Sequence, residues 1–158
     1  MKTKLISGIN LLILLSFFLP WLTVSCENKT VTSLTGLDLV IGKVIESEGA
    51  FGQQDTHTIP FSPIAIAMAA AVFIGLILGV FTGKTVMLTT GFINFSAIIL
   101  QWYLKYDIEQ QIQAEGNGLF YVKTEFGFWL VFLFLILSLV WIGIIIVKKP
   151  KAEYQAQI

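Results

Sequence analysis

The chain has 158 residues, enough for one domain, and its ten acidic residues balance ten basic ones. That neutrality leaves no electrostatic footprint for nucleic acid. Only 13% of residues are charged, against about 25% in a soluble domain, and the mean hydropathy is +0.81, so an ordinary soluble globule is excluded. With one cysteine, Cys26, an intrachain disulfide is excluded as well.

The apolar residues fall into long runs that read as membrane helices, so the expected fold class is an all-α membrane protein. The first predicted span runs from about Leu5 to Ser25, after Lys2 and Lys4. Trp21 stands near its outer end, where an indole is expected to anchor the helix at the headgroups. The same segment resembles a secretion signal, and Leu22 to Cys26 carries a small residue before cysteine, as a lipoprotein signal does. Cleavage and lipidation at Cys26 would leave a three-span protein. Retention is favoured, because Thr23 sits where such signals carry an aliphatic residue and Pro20-Trp21 precedes the site.

The first outer loop, residues 26–61, is long enough to hold structure of its own. Its Lys29–Thr35 segment is rich in β-branched residues and predicts a strand. Gly36–Gly42 is apolar but too short to span, and is expected to lie against the outer helix ends. Gly49–Thr58 is polar and glycine-containing and reads as a mobile segment. The second span, about residues 63–82, opens with Ser62 as N-cap and Pro63 at the first helical position. The third covers about 86–104 and is expected to continue as a helix through residues 105–114 until Gly116 and Gly118. Residues 119–125 predict a second strand, which should pair with the one near Val31 into a small outer sheet, since a lone strand is unstable. The fourth span runs from about Phe126 to Val147, before Pro150. One four-helix membrane domain with a small extracytoplasmic sheet, made by outer loops 26–61 and 105–125, therefore covers residues 1–158.

Lysine placement orients these spans. Lys2, Lys4, Lys84, Lys148, Lys149 and Lys151 fall on one side, against Lys29, Lys43, Lys105 and Lys123 on the other. The lysine-rich side holds both termini and is expected in the cytoplasm, in a cell membrane of the bacterial inner-membrane kind.

In the second span Ala67, Ala71, Gly75, Gly79 and Gly83 recur every four residues and predict a ridge for close helix packing, within the chain or between copies. Asn10 and Asn94 are the notable intramembrane polar residues, and Asn94 is expected to hydrogen-bond Asn10 or Ser16 of the first span. No ionisable residue lies at depth, which argues against a proton pump or ion-coupled transporter. Gly79 to Thr85 imitates a phosphate-binding loop, but only three residues separate its glycines and no strand precedes it, so nucleotide binding is rejected. His57 is the only histidine, so neither a metal site nor an activated Cys26–His57 pair is expected. No cofactor is implied.

Two resemblances carry this reading further. Leu19-Pro20-Trp21, a strand-bearing first loop with Gly36-Leu37 and a short second loop resemble the claudin-type four-helix plan. That resemblance implies an outer sheet drawn from both loops and side-by-side or partner association in the bilayer. The chain departs from it where Asp38 follows Leu37 in place of a tryptophan, and where Cys26 stands alone in place of a cysteine pair, so barrier function does not carry over. Pro20-Trp21, Ser25-Cys26, Gly36-Leu37 and Gly127-Phe128-Trp129 together also resemble small uncharacterised bacterial four-transmembrane proteins. The expected role is structural or accessory, with the lipid bilayer and another membrane protein, or a second copy, as partners. A small transporter or channel subunit is the alternative. An enzyme is not expected, for want of a nucleophile–base set.

Overall fold

The computed structural model describes residues 2–26, 29–48, 54–59, 61–81, 83–115 and 120–148. It is mostly helical, with two helices long and apolar enough to cross a membrane and a small three-stranded sheet.

Helix α1 (Lys2–Leu15) tightens into one 3-10 turn at Ser16–Phe18 and then stops. The helix ends there because Pro20 disfavours helical geometry at the residue before it, and Leu19 is extended, with φ −84° and ψ 156°. Pro20–Cys26 continues as strand β1, whose Trp21, Thr23 and Val24 are strand-favouring types. The expected helical span of residues 5–25 is thus corrected: its outer quarter is a strand.

Strand β1 is central. It pairs antiparallel with β2 (Lys29–Thr35) on one side and with β5 (Phe120–Thr124) on the other. The two strands expected to pair with each other therefore flank a third, which composition had assigned to the membrane. Between β2 and β5 lie α2 (Gly36–Ile41), β3 (Lys43–Glu48), β4 (Gln54–Ile59) and the longer helices α3 (Pro63–Leu78) and α4 (Lys84–Glu115). Strands β3 and β4 form a separate antiparallel pair from Lys43↔Ile59 to Glu48↔Gln54. Residues 54–58 are therefore strand, in contrast to the mobile segment expected there, and residues 49–53 lie outside the described residues.

Helix α2 begins with a reciprocal cap. The Asp38 N–H donates to Thr35 Oγ1 at 3.1 Å, and the Thr35 N–H donates to Asp38 Oδ2 at 2.9 Å. It ends at Gly42, whose φ of 89° suits glycine. Lys43 Nζ then reaches Asp38 Oδ2 at 3.2 Å and the Ser33 carbonyl at 3.0 Å. Since Lys43 is not in the β1–β2–β5 sheet, this lysine occupies backbone on the edge of β2 and blunts it against further strand pairing.

Helix α3 is Pro63–Leu78, four residues shorter than the expected 63–82, and Ser62 precedes it without a side-chain cap bond. The Ser62 N–H instead donates to the Leu39 carbonyl of α2 at 2.8 Å. Helix α4 runs unbroken from Lys84 to Glu115, so the expected third span and its outer extension are one 32-residue helix. Gly116 and Gly118, the expected stop, lie outside the described residues. Helix α5 is Phe126–Lys148, close to the expected 126–147.

The four long helices pack as a ring in the order α1, α3, α4, α5, with α5 closing back on α1. Strand β5 rests on α4, β1 on α5, and α2 on α3 and the 3-10 turn, so the three-stranded sheet and α2 form one layer at a single end of the ring. The ring has an apolar core, with Ile13, Met68, Val72, Ala97, Val131 and Leu135 buried, but unlike a soluble protein it has an apolar exterior as well, and its polar residues lie inside. Asn10, Thr90, Asn94, Gln101 and Ser138 are buried, while Leu11, Phe73, Phe92, Phe95, Leu133 and Val140 are each at least half exposed.

Candidate functional site: a polar node and a tryptophan seat

The buried polar residues gather at two levels. Near the middle of the ring, Asn94 of α4 donates from Nδ2 to Ser138 Oγ of α5 at 2.7 Å and to Asn10 Oδ1 of α1 at 3.4 Å. All three side chains are fully buried. Helix α3 closes the fourth side with Gly75, where an added Cβ would lie 3.1 Å from Asn10 Nδ2 and 3.3 Å from Asn94 Oδ1. These two amide atoms have no hydrogen-bond partner. A side chain at 75 would press on the Asn10 and Asn94 amides, so glycine suits this position, where α3 meets the node. The expected Asn94–Asn10 contact is present; Ser16 does not take part, since its hydroxyl donates to the Leu12 carbonyl of its own helix. Ser138 was not anticipated, although a lone serine inside the run Leu133–Val147 is a readable signal for it.

The small residues of α3 divide between neighbours. Gly79 meets α1: an added Cβ would be 3.1 Å from the Ser7 backbone nitrogen, and Ser7 Oγ donates to the Leu76 carbonyl at 3.3 Å. Ala67 and Ala71 instead line a groove of about 250 Å³ toward α4, with Ala70, Ile74, Phe92 and Ser96. Gly83 lies beyond the end of α3, before α4, and an added Cβ there would meet only Val86, at 3.6 Å. A four-residue step overshoots one helical turn by about 40°, so the row winds by about 120° from Ala67 to Gly79 and cannot face a single partner throughout.

The second level lies at the end of the ring that carries the sheet. Trp21 is completely buried, and its Nε1 donates to the Ser16 carbonyl at 2.9 Å. Phe17 and Phe128 pack on its ring, at 4.6 and 6.3 Å between centroids. Two glycines make room for it. An added Cβ on Gly36 would stand 2.7 Å from Trp21 Cε2, and one on Gly127 would stand 2.8 Å from Trp21 Cδ1 and 2.6 Å from the Pro20 carbonyl. The expected headgroup anchor at Trp21 is therefore corrected: the indole is seated between α2 and α5, because glycines open a slot there and a backbone carbonyl takes its N–H. The half-exposed indoles at this end are Trp102 and Trp129, in edge-to-face contact at 6.2 Å. Gln101, buried beside them, donates to the Phe128 carbonyl at 2.7 Å. The fragments Pro20-Trp21, Gly36 and Gly127-Phe128, far apart in sequence, thus meet around one ring.

The node offers neutral amides and a hydroxyl, and its chemistry is hydrogen bonding. Asp38 lies in α2. Partial burial raises its pKa, but bonds from the Thr35 backbone and side chain, together with Lys43, lower it further and hold it below the ordinary carboxylate value. Among the described residues no group of three or more His, Cys, Asp or Glu could hold a metal ion. The side chains of Cys26, His57 and Lys84 lie outside the described residues. No family model, curated protein or solved structure matches the chain.

Proposed function

We propose that this chain is a four-span membrane protein of structural or accessory type, which works by helix packing and by protein–protein contact through its outer layer. The apolar exterior of the ring, around an interior that also buries its polar side chains, carries the reading. Water would not leave Phe92 72% exposed while Asn94 and Ser138 are wholly buried, whereas lipid favours that arrangement. All four long helices expose large apolar side chains in this way, including the shorter α1 and α3. The sheet and α2 lie at the end of the ring away from Lys2, Lys4 and the start of α4, which supports cytoplasmic termini under the lysine rule.

Purification in a gentle detergent tests the role. A defined second membrane protein, or a stable multimer of this chain, is the expected product; a lone monomer would overturn the accessory reading. The node favours one second reading, a small transporter or channel subunit, since Asn10 Nδ2 and Asn94 Oδ1 are unpartnered at mid-depth. Under that reading, reconstituted vesicles would show a solute flux that Asn94→Ala alters.

A further inference from the structure

The four long helices do not have equal reach. Helix α5, of 23 residues, extends ~35 Å, whereas α3, of 16, extends only ~24 Å. The α1 helix and its 3-10 turn, 17 residues together, reach ~27 Å. A bilayer hydrocarbon core is about 30 Å thick, so the α1–α3 side falls short while the α4–α5 side does not.

The element that stands on the short side is α2, which packs on α3 and on the 3-10 turn. Its two faces differ. Gly36 and Leu39 are buried against Trp21 and the core, and the Leu39 carbonyl accepts the Ser62 N–H. Leu37 and Ile41, four residues apart and so on one side of the helix, are turned outward, Ile41 at 69% exposure. Phe18, at the end of the 3-10 turn, and Phe61, two residues before α3, are also exposed. An outer layer bathed in water would have no use for four large apolar side chains concentrated where two helices are too short.

We infer that α2 is a membrane-embedded shoulder: its outward face, with Phe18 and Phe61, lies in the outer acyl–headgroup boundary and completes the hydrophobic thickness that α1 and α3 lack. A helix is about 10 Å across with its side chains, more than enough to supply the missing length. On the opposite side the same boundary falls at Trp102 and Trp129, with Lys105 Nζ 5.8 Å from the Trp102 ring centre. The outer layer is therefore keyed into the bilayer on one flank, and it does not stand wholly above it. This inference rests on the four-span reading.

Nitroxide labels test both separately. In a Cys26→Ser background, single cysteines are introduced as Leu37→Cys and Ile41→Cys. Leu12→Cys and Leu137→Cys serve as ring controls and Gln111→Cys as the water control, all five positions being exposed. Each labelled protein is reconstituted in phosphatidylcholine vesicles, and collision rates with oxygen and with a water-soluble nickel chelate are measured. The oxygen-to-nickel ratio at 37 and 41 is expected to exceed that at 111 by several-fold and to approach the ring controls. A ratio at 37 and 41 nearer to that at 111, with 12 and 137 lipid-like, would overturn the shoulder and leave the spans intact; local thinning of the bilayer would give this result. Aqueous ratios at 12 and 137 would overturn the four-span reading itself.

Discussion

Single glycines in this chain have opposite meanings, and one substitution distinguishes them. At Gly127 an alanine Cβ would fall 2.6 Å from a backbone carbonyl, which cannot swing aside as a side-chain tip can. Gly127→Ala should therefore destabilise by about 1–3 kcal/mol, read as a lower unfolding temperature in detergent. Gly143 has nothing within 4 Å, so Gly143→Ala should be neutral or slightly stabilising through helix propensity. The node calls for a different comparison. Ser138→Ala and Asn94→Ala each break the 2.7 Å bond, and interhelical bonds in lipid are worth about 0.6 kcal/mol on average and up to ~1.7. Because both remove the same bond, the double variant should cost less than the two single losses together, which equilibrium unfolding of the four proteins will show. The sequence already marked Asn10 and Asn94 as polar residues within apolar runs. The lone serine of the run Leu133–Val147 marks Ser138 as a candidate, but choosing it as the partner of Asn94 depends on which helix stands beside α4.

Elements in this fold end where local chemistry stops them, and α2 is the clearest case. Its start depends on the Thr35–Asp38 cap, so Thr35→Ala should cost about 1 kcal/mol. The cap is also pH-sensitive in a defined direction. The folded Asp38 pKa lies below its unfolded value, so the ionised form stabilises the fold above the unfolded value, and this contribution is lost as pH falls through the folded one. Asp38→Asn should thus lower thermal stability at pH 7, and the gap to the native chain should close as the pH is taken below the ordinary carboxylate range. Equal differences at pH 7 and in strong acid would show that the charge contributes nothing. The capping residues are local and readable in sequence. The strand identity of Pro20–Cys26 was harder to read, because an apolar run ending in Trp-Leu-Thr-Val suits a helix end or a buried strand equally by composition, and only pairing with β2 and β5 separates them.

The whole molecule is a ring of helices with one structured end, and its placement gives a topology prediction. With Cys26→Ser, a cysteine introduced as Gln111→Cys should react with a membrane-impermeant thiol reagent on intact cells. One introduced as Thr85→Cys, exposed at the opposite end of α4, should react only after permeabilisation. The reverse pattern would invert the orientation. Two helices, α4 and α5, are long and apolar enough to cross a membrane, and the four-span proposal draws on the exposed apolar side chains of all four.

Composition and spacing by themselves determined the apolar helices, the strand at Lys29–Thr35, the continuation of α4 and the isolated polar positions within apolar runs, because each is a property of a contiguous stretch. Tertiary structure alone decided that Trp21 is seated and not anchored, that β1 lies at the centre of the sheet, and that the small residues of α3 serve two neighbours. The reason is the same each time. The slot for Trp21 is made by Gly36, which the β1–β2 pairing brings back to it, and by Gly127, which adjoins it only after the chain has passed along α3 and back along α4, and no local pattern encodes either neighbour.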